Sequence, residues 1–204
     1  MDLKKRIADI AYKNNLSHLG SYYSSLGIIE EIYKKKSKDD IFILSSGHAA
    51  LALYVVMEKY EGMDAEKLFE TYGGHPHRNE KDRIYCSTGS LGLGLLVAIG
   101  RAMANRERNV SCLISDGECA EGSIWEGLRF IKESKIENLE VYVNVNGYAA
   151  YDTVDTKYLE ERLVAFLPNI NIRRTKVSHY SFLRGLNAHY HVMKEDDYKE
   201  TMET

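Results

Sequence analysis

Hydrophobic and polar positions between residues 109 and 152 follow the order strand, turn, helix, strand. An apolar run over 110–114 is long enough for one buried strand, and Ser115-Asp116-Gly117 interrupts it. A helical pattern follows, with apolar residues at i, i+4 and i+7: Ile124, Leu128 and Ile131. A second apolar run covers 139–145 and ends on Asn146-Gly147. This order is typical of a parallel sheet, whose neighbouring strands need a long crossover connection.

The remaining pattern extends this unit in both directions. Two further short apolar runs predict strands at 41–45 and 170–174. Helical periodicity predicts seven more helices, at 2–14, about 26–36, 48–60, 64–72, 95–104, near 156–166 and, exposed and acidic, at 194–204. The sum predicts one α/β domain over residues 1–204, with a doubly wound, mostly parallel sheet flanked by helices.

Polar side chains stand where the two central strands end. Asp116 follows the first strand and Asn146 follows the second. Ligands of open α/β sheets bind beyond the carboxyl ends of the strands, and a carboxylate with an amide oxygen suits Mg²⁺ carrying phosphate oxygens. The turn at Gly117 would present backbone N–H groups to an anion. Taken singly, Asp116 could only cap a helix and Asn146-Gly147 could only form a turn.

A glycine-rich turn at 89–94 precedes one of the predicted helices. Its glycines are spaced GxxGxG, whereas the nicotinamide-dinucleotide fingerprint is GxGxxG. The sequence therefore argues against a dinucleotide-binding turn and favours a helix that packs closely on the sheet.

Composition narrows the classes of function. The chain has 204 residues and a formal charge of −3, which is no electrostatic footprint for nucleic acid. No run approaches the ~20 apolar residues of a membrane helix, and the charged, helical first residues do not resemble a signal peptide. Three cysteines without CxxC spacing predict a reduced, cytoplasmic protein.

Seven short motifs, in order along the chain, resemble those of the transketolase family of thiamine-diphosphate enzymes. They are SHLGS (17–21), SSGHAALALY (45–54), GGHP (73–76), STGSLGLG (87–94), DGECAEG (116–122), Asn146 about thirty residues later, and NAHYHVM (187–193). Each is weak alone, but together they span nearly the whole chain. The resemblance implies the thiamine-diphosphate-binding fold of the diphosphate-binding type, with thiamine diphosphate and Mg²⁺ as cofactors.

The resemblance also implies roles for individual residues. The Mg²⁺ ligands would be Asp116, Asn146 and the backbone carbonyl of Tyr148. Cofactor contacts would come from matching motif positions: His48, Gly89, Ser90, Leu91, Gly117, Glu118, Asn146 and His189. Catalytic roles would fall to His18 and His189, which face a substrate hydroxyl, to His75, which meets the donor's terminal hydroxyl, and to Glu121, at a subunit interface. An imidazole suits proton transfer near neutral pH. His191, two residues from His189, is an alternative for the late histidine.

One part of the family's machinery finds no match in this sequence. Thiamine enzymes activate the cofactor with a glutamate from a pyrimidine-binding domain, and nothing here resembles that domain. The resemblance therefore implies a diphosphate-binding subunit of the split-gene type. We expect it to act with a separate pyrimidine-binding chain in a two-plus-two heterotetramer, on sugars or sugar phosphates.

Departures from the family pattern leave the reaction open. Ser115, Leu93 and Ala188 replace the usual glycine, glutamine and tryptophan, and the interval between Tyr151 and Ile170 is short. Transfer of a two-carbon ketol group between sugars is the leading interpretation. Decarboxylative acyl transfer from a 2-oxo acid is a second, and a non-catalytic regulatory or scaffold subunit is a third.

Overall fold

The computed structural model describes residues 1–204 as a parallel sheet with helices on both faces. The four strands are β1 (Ile41–Leu44), β2 (Val110–Ser115), β3 (Leu139–Val145) and β4 (Asn171–Arg174). Every neighbouring pair is parallel, and the strands lie side by side in the order β1-β2-β3-β4. The α/β class and the parallel sheet flanked by helices are confirmed.

Nine α-helices surround the sheet. They are α1 (Leu3–Lys13), α2 (Leu19–Lys35), α3 (Ala50–Glu61), α4 (Ala65–Tyr72), α5 (Leu93–Ala104), α6 (Gly122–Glu133), α7 (Thr156–Phe166), α8 (Asn187–Tyr190) and α9 (Glu195–Glu203). Aspartate side chains cap three of them: Asp2, Asp64 and Asp155 accept hydrogen bonds from free backbone N–H groups in the first turns of α1, α4 and α7. No helix combines the length and the apolar character that crossing a membrane requires.

Strands β1, β2 and β3 each contribute side chains to both helical layers because successive side chains point to opposite faces of a sheet. Phe42, Leu113 and Tyr142 pack with α1–α4. Ile43 and Cys112, beside them in the strands, pack with α5–α7. Burial on both faces explains why these strands are continuous apolar runs rather than alternating ones.

Helices cover both faces of the sheet although the order of its strands does not reverse. Helices α1 and α2 precede β1, and the long β1–β2 connection supplies α3 and α4 to the same layer before α5 enters the other. The crossovers α6 and α7 then join α5. The chain thus covers both faces of a sheet whose order runs straight from β1 to β4.

Two predicted helices differ from those observed. Helix α2 begins at Leu19, not near residue 26, since Leu19, Tyr22 and Tyr23 form a buried face. The small polar residues between them concealed this face from a periodicity argument. The last helix is not simply exposed: the ring of Tyr198 on α9 stacks on Tyr12 of α1 at 4.7 Å.

Candidate functional site

A pocket of about 210 Å³ lies at the carboxyl edge of the sheet. The ends of β2 and β3, the start of α2 and the turn before α3 contribute to it, together with the Gly89–Leu91 turn and the segment around α8. Its lining includes ten of the residues singled out from sequence or discussed as departures: His18, His48, His75, Gly89, Leu91, Ser115, Gly117, Asn146, Tyr148 and His189. With His75 from the loop after α4, packing brings these residues together from seven separate segments of the chain.

Asp116 joins the tips of the two central strands. Its Oδ2 accepts hydrogen bonds from the backbone N–H groups of Asn146 at 2.9 Å and Gly147 at 2.7 Å, and its Oδ1 accepts one from Gly117 at 3.0 Å. The side chain is only 2% exposed, and burial raises its pKa to about 6 despite these three donors. No lysine or arginine pairs with this buried carboxylate.

The acceptor capacity of this corner fits a divalent cation. A carboxylate oxygen has about two lone-pair sites, so Oδ2 of Asp116 is fully used and Oδ1 has one site left. Oδ1 of Asn146 accepts only from the backbone N–H of Tyr148, at 3.0 Å, and also keeps one site. Oxygen atoms of this type are those that Mg²⁺ prefers, and the unpaired buried charge favours a cation there.

Four histidines form a cluster on the other side of the pocket. The ring of His18 has its centroid 4.4 Å from that of His189, 5.7 Å from that of His48 and 6.4 Å from that of His75. The rings of His48 and His189 are 5.5 Å apart. No carboxylate forms an ion pair with any of the four rings.

Burial favours the neutral form of three of these rings: His18, His48 and His189. Burial, reinforced by nearby histidines, lowers the pKa of His18 to about 4 and that of His48 to about 3. Burial also lowers the pKa of His189. Neutral imidazoles can each donate one hydrogen bond and accept another, so the cluster can orient hydroxyl groups or move a proton between them.

The backbone holds His18 and His189 in place. His18 precedes α2 in the left-handed conformation, with φ of 67°, and its N–H donates to the carbonyl of His189 at 2.8 Å. His191 instead contacts Asp197 at 2.8 Å, outside the cluster. The structure therefore brings His189, and not His191, to the pocket.

Four predicted residues do not line the pocket. Asp116 is buried behind it and accepts from the backbone N–H groups of the lining residues Gly117 and Asn146. Glu118 was predicted to contact the cofactor, but its buried side chain accepts hydrogen bonds from Ser45 Oγ and from the backbone N–H groups of Gly92 and Ser115. Its carboxylate thus holds the walls of the site together. Ser90 is exposed beside the pocket, and Glu121 lies exposed at the start of α6.

Sequence reasoning missed the polar layer beneath the pocket. The Asn144 side chain donates to Ser24 at 3.0 Å and to Ser25 at 3.1 Å, and it accepts from Thr175 at 2.5 Å. The Asn146 amide also reaches Ser24, at 3.4 Å. An asparagine inside an otherwise apolar strand was the available signal, since a buried amide must find partners.

Comparison with known proteins places this site in a family. A family model described as 1-deoxy-D-xylulose-5-phosphate synthase matches residues 2–203. One of the subunits of the apulose-4-phosphate transketolase of Phocaeicola vulgatus is 33% identical over 164 residues, covering 70% of this chain and 58% of that protein. Human transketolase is 35% identical over 119 residues, covering 53% of this chain and 19% of that protein. The chain thus spans just over half of the first relative and a fifth of the second.

Solved structures agree on the fold. A transketolase from Leishmania mexicana superposes with a TM-score of 0.63 at 23% identity, covering 80% of this chain and 30% of that one. A transketolase from Pichia stipitis superposes with a TM-score of 0.66 at 15% identity, covering 98% of this chain and 40% of that one.

Because the family model spans nearly the whole chain, the chain belongs to the thiamine-diphosphate-dependent family that includes 1-deoxy-D-xylulose-5-phosphate synthase and the N-terminal part of the transketolases.

Proposed function

We propose that this chain is the diphosphate-binding subunit of a transketolase-like enzyme that depends on thiamine diphosphate and Mg²⁺. The enzyme transfers a two-carbon ketol group from a ketose donor to an aldehyde or sugar acceptor. The observation that carries this proposal is the site at the carboxyl edge of the parallel sheet, where four histidines cluster in a pocket and the buried carboxylate of Asp116, which has no cationic partner, bonds to the lining residues Gly117 and Asn146.

The polar corner of the pocket would hold the metal and the diphosphate. Asp116, Asn146 and the carbonyl of Tyr148 would bind Mg²⁺, and the N–H of Gly117 would donate to a phosphate oxygen. Gly89 has φ of 114° and Leu91 lines the pocket, so this turn offers backbone and apolar contacts to the rest of the cofactor. When bound, thiamine diphosphate supplies the nucleophilic carbon that accepts the two-carbon unit.

The histidine cluster would act on the sugar. His75 is exposed at the rim, where it can donate to a terminal hydroxyl of the donor. His18 and His189 are the closest pair of rings, and one can accept a hydroxyl proton at a free ring nitrogen while the other holds the same oxygen by donation. His48 would orient a phosphate or hydroxyl oxygen from the far side of the pocket.

A second chain would complete this site. The pocket encloses about 210 Å³, less than the roughly 300–1,000 Å³ of sites that surround a drug-sized ligand. An apolar stripe on α5 stands beside it, immediately after the Gly89–Leu91 turn, and consists of Leu93, Leu96, Val97 and Met103. The relative from Phocaeicola vulgatus is named as one subunit of a transketolase, and this name supports division of the enzyme between chains. We assign the stripe and the exposed Glu121 to contact with a pyrimidine-binding partner in a two-plus-two assembly.

We also propose a domain organisation and a cellular location for this chain. Residues 1–204 would act as one diphosphate-binding domain, with the pyrimidine-binding domain on the partner chain. The three buried cysteines are free thiols, which agrees with a cytoplasmic protein.

Cofactor binding tests the metal corner. Calorimetric titration of the complex with thiamine diphosphate and Mg²⁺ should show binding that Asp116→Ala weakens by at least about tenfold, because the charge opposite the metal is lost. Asp196→Ala, which changes an almost fully exposed aspartate of α9, is the matched control and should leave affinity unchanged. Equal affinity in the wild type and Asp116→Ala would refute the metal assignment. Absence of cofactor binding by the complex would favour a non-catalytic subunit.

Product analysis tests the reaction. The complex should transfer a ketol unit from xylulose 5-phosphate or hydroxypyruvate to an aldose acceptor, whereas this chain alone should not. Acyl products formed from pyruvate, without ketol products, would favour decarboxylative acyl transfer instead. Robust ketol transfer by this chain alone would refute the requirement for a partner.

A further inference from the structure

A groove of about 860 Å³ lies away from the histidine pocket. It runs between the middle of α2, the start of α1 and the segment 173–180, and we call it the cationic groove. Its lining carries six lysine or arginine side chains against three aspartates or glutamates, although the chain as a whole has a formal charge of −3. Positive charge is therefore concentrated in this concavity.

Both glutamates of the groove are already neutralised. Glu30 accepts from Lys59 at 2.6 Å. Glu31 accepts from both ends of the Arg173 guanidinium, at 2.8 and 2.9 Å. Neither glutamate is left free to compensate further cations or to repel an anion. The third acid of the groove, Asp2, accepts from the backbone N–H groups of Lys4 and Lys5 as the cap of α1.

Three lysines of the groove form no ion pair: Lys4, Lys5 and Lys176. Lys5 donates instead to the backbone carbonyl of Met202 at 2.8 Å. Burial lowers the pKa of the His179 ring, and the charges of Lys4 and Lys176 lower it further, so both ammonium groups act on this ring. Like charges converge at a folding cost unless an anion compensates them. The exposed hydroxyl of Ser178 and the ring of His179 can donate at the same point.

The floor of the groove has open space and an unused polar group. A side chain added at Gly27, in the middle of α2, would meet no atom within 4 Å. The hydroxyl of Tyr23, one turn before it, is buried and has no hydrogen-bond partner. Buried hydroxyls normally have partners, so a ligand or the water it orders would satisfy this group.

The cationic groove is separate from the histidine pocket but adjoins its polar base. The two concavities share no lining residue. Ser24 lines the groove and accepts from the side chains of Asn144 and Asn146, and Thr175, also in the groove, donates to Asn144. Occupancy of the groove can thus shift the orientation of Asn146, one of the proposed Mg²⁺ ligands.

We propose that the cationic groove is a second binding site, for a small phosphomonoester metabolite, with its phosphate between Lys4, Lys176 and His179. The volume of the groove suits a phosphorylated sugar-sized molecule. The site does not depend on the proposed function, because none of its residues lies in the histidine pocket.

Residue-resolved NMR of the full chain tests the site and separates it from the histidine pocket. Titration with inorganic phosphate and with glucose 6-phosphate should shift the backbone amide signals of Gly27 and Ser178 in a saturable way, with glucose 6-phosphate binding more tightly. Glucose should leave both signals in place. Shifts confined to Gly89 and Gly117 would mean that phosphate enters only the histidine pocket, and that result would overturn the proposal.

Charge on the floor of the groove gives a matched pair of variants. Gly27→Glu and Gly27→Gln add side chains of equal size into the same open space, and only the first adds negative charge. We expect Gly27→Glu to weaken phosphate binding at Ser178 roughly tenfold relative to Gly27→Gln. Equal affinities for the two variants would contradict the site.

The lysines give an independent second test. The double variant Lys4→Gln/Lys176→Gln should weaken phosphate binding, measured by the saturable shift at Gly27, roughly tenfold or more, since it removes the two unpaired charges that act on His179. Lys132→Gln/Lys157→Gln removes two unpaired lysines from α6 and α7 and should leave it unchanged. Asp116→Ala should also leave groove binding intact, so a failure of the proposed cofactor site would not disguise the result. Equal weakening by both double variants would show a non-specific charge effect and reject the site.

Discussion

At the scale of single residues, His18 and His48 favour the neutral imidazole because no carboxylate pairs with them. His18 and His48 have no carboxylate partner, and their neighbours are other histidines, so each ring disfavours protonation of the next. A neutral imidazole can both donate and accept, whereas an imidazolium can only donate. His18 and His48 therefore keep at neutral pH the protonation state that hydroxyl recognition requires.

The acid limb of the stability profile should report this arrangement. The pKa values of His18 and His48 in the folded state, about 4 and about 3, lie below the ordinary value near 6.5. The unfolded chain then binds more protons at intermediate pH, and the stability that neutral rings contribute is complete above pH 6.5 and is lost as pH falls toward 4.

Denaturant unfolding measured from pH 7 to 4.5 provides the check. We expect the wild type to lose about 1–3 kcal/mol more than His48→Asn over this interval. His77→Asn, which alters an exposed histidine outside the pocket, should follow the wild-type profile. A His48→Asn profile parallel to that of the wild type would show that His48 does not titrate abnormally.

At the scale of elements, the carboxylate of Glu118 forms hydrogen bonds to three segments around the site. Glu118 accepts from Ser45 after β1, from Gly92 before α5 and from Ser115 at the end of β2. Burial raises its pKa, yet three donors converge on it. The walls of the pocket thus depend on a residue that does not line it.

Replacement of Glu118 by glutamine should loosen this junction. The amide NH₂ of glutamine would face groups that are themselves donors, so we expect Glu118→Gln to lower the free energy of unfolding by about 1–3 kcal/mol. Glu121→Gln, three residues away and exposed, should change it by less than about 0.5 kcal/mol. Chemical denaturation of both variants measures the difference, and similar stabilities would contradict the role given to Glu118.

Two glycines, one within α2 and one just before α5, should respond to alanine in opposite ways. Gly27→Ala should stabilise the chain by about 0.5–1 kcal/mol, because the position is mid-helix and has open space around it. Gly92→Ala should destabilise it by more than about 1 kcal/mol, because φ is 77° and a Cβ would collide with the side chains of Ser123 and Glu121. Thermal or denaturant unfolding decides the signs, and a stabilising Gly92→Ala would refute the strain at this turn.

On the scale of the whole molecule, the apolar stripe of α5 is the surface that most needs a partner. Leu96 is 40% exposed and Leu93 46% exposed, while the opposite side of the same helix is buried against the sheet. Contiguous exposed apolar residues beside a partly enclosed pocket mark a protein interface. In the proposed assembly, a partner that covered the stripe would also complete the site.

A charge in the stripe should separate assembly from folding. We expect Leu96→Glu to abolish co-sedimentation with the pyrimidine-binding chain, and with it ketol transfer, because an unpaired charge would be buried in the interface. Stability of the free chain should stay within about 0.5 kcal/mol of the wild type. Val164→Glu changes a similarly exposed residue of α7 and should assemble normally. An intact complex with Leu96→Glu would exclude the stripe as the interface.

The sequence by itself determined the strands and the chemistry at their ends. Because buried parallel strands are continuous apolar runs, the local pattern was enough to predict β2 and β3. Parallel strands also place their carboxyl ends at one edge of the sheet. This is why the approach of Asp116 to the start of the Asn146 turn followed from the sequence alone. The family's motifs likewise occur as short local signatures.

Only the tertiary structure decided which distant residues meet. Contacts between remote segments decide where α2 begins and place His189, rather than His191, in the pocket. They also decide that Glu118 bonds to the segments around the pocket instead of lining it. The cationic groove joins Lys4 to Lys176 in the same way. Local periodicity records which side of an element is buried, but it does not record what packs against that side, and these features are consequences of packing.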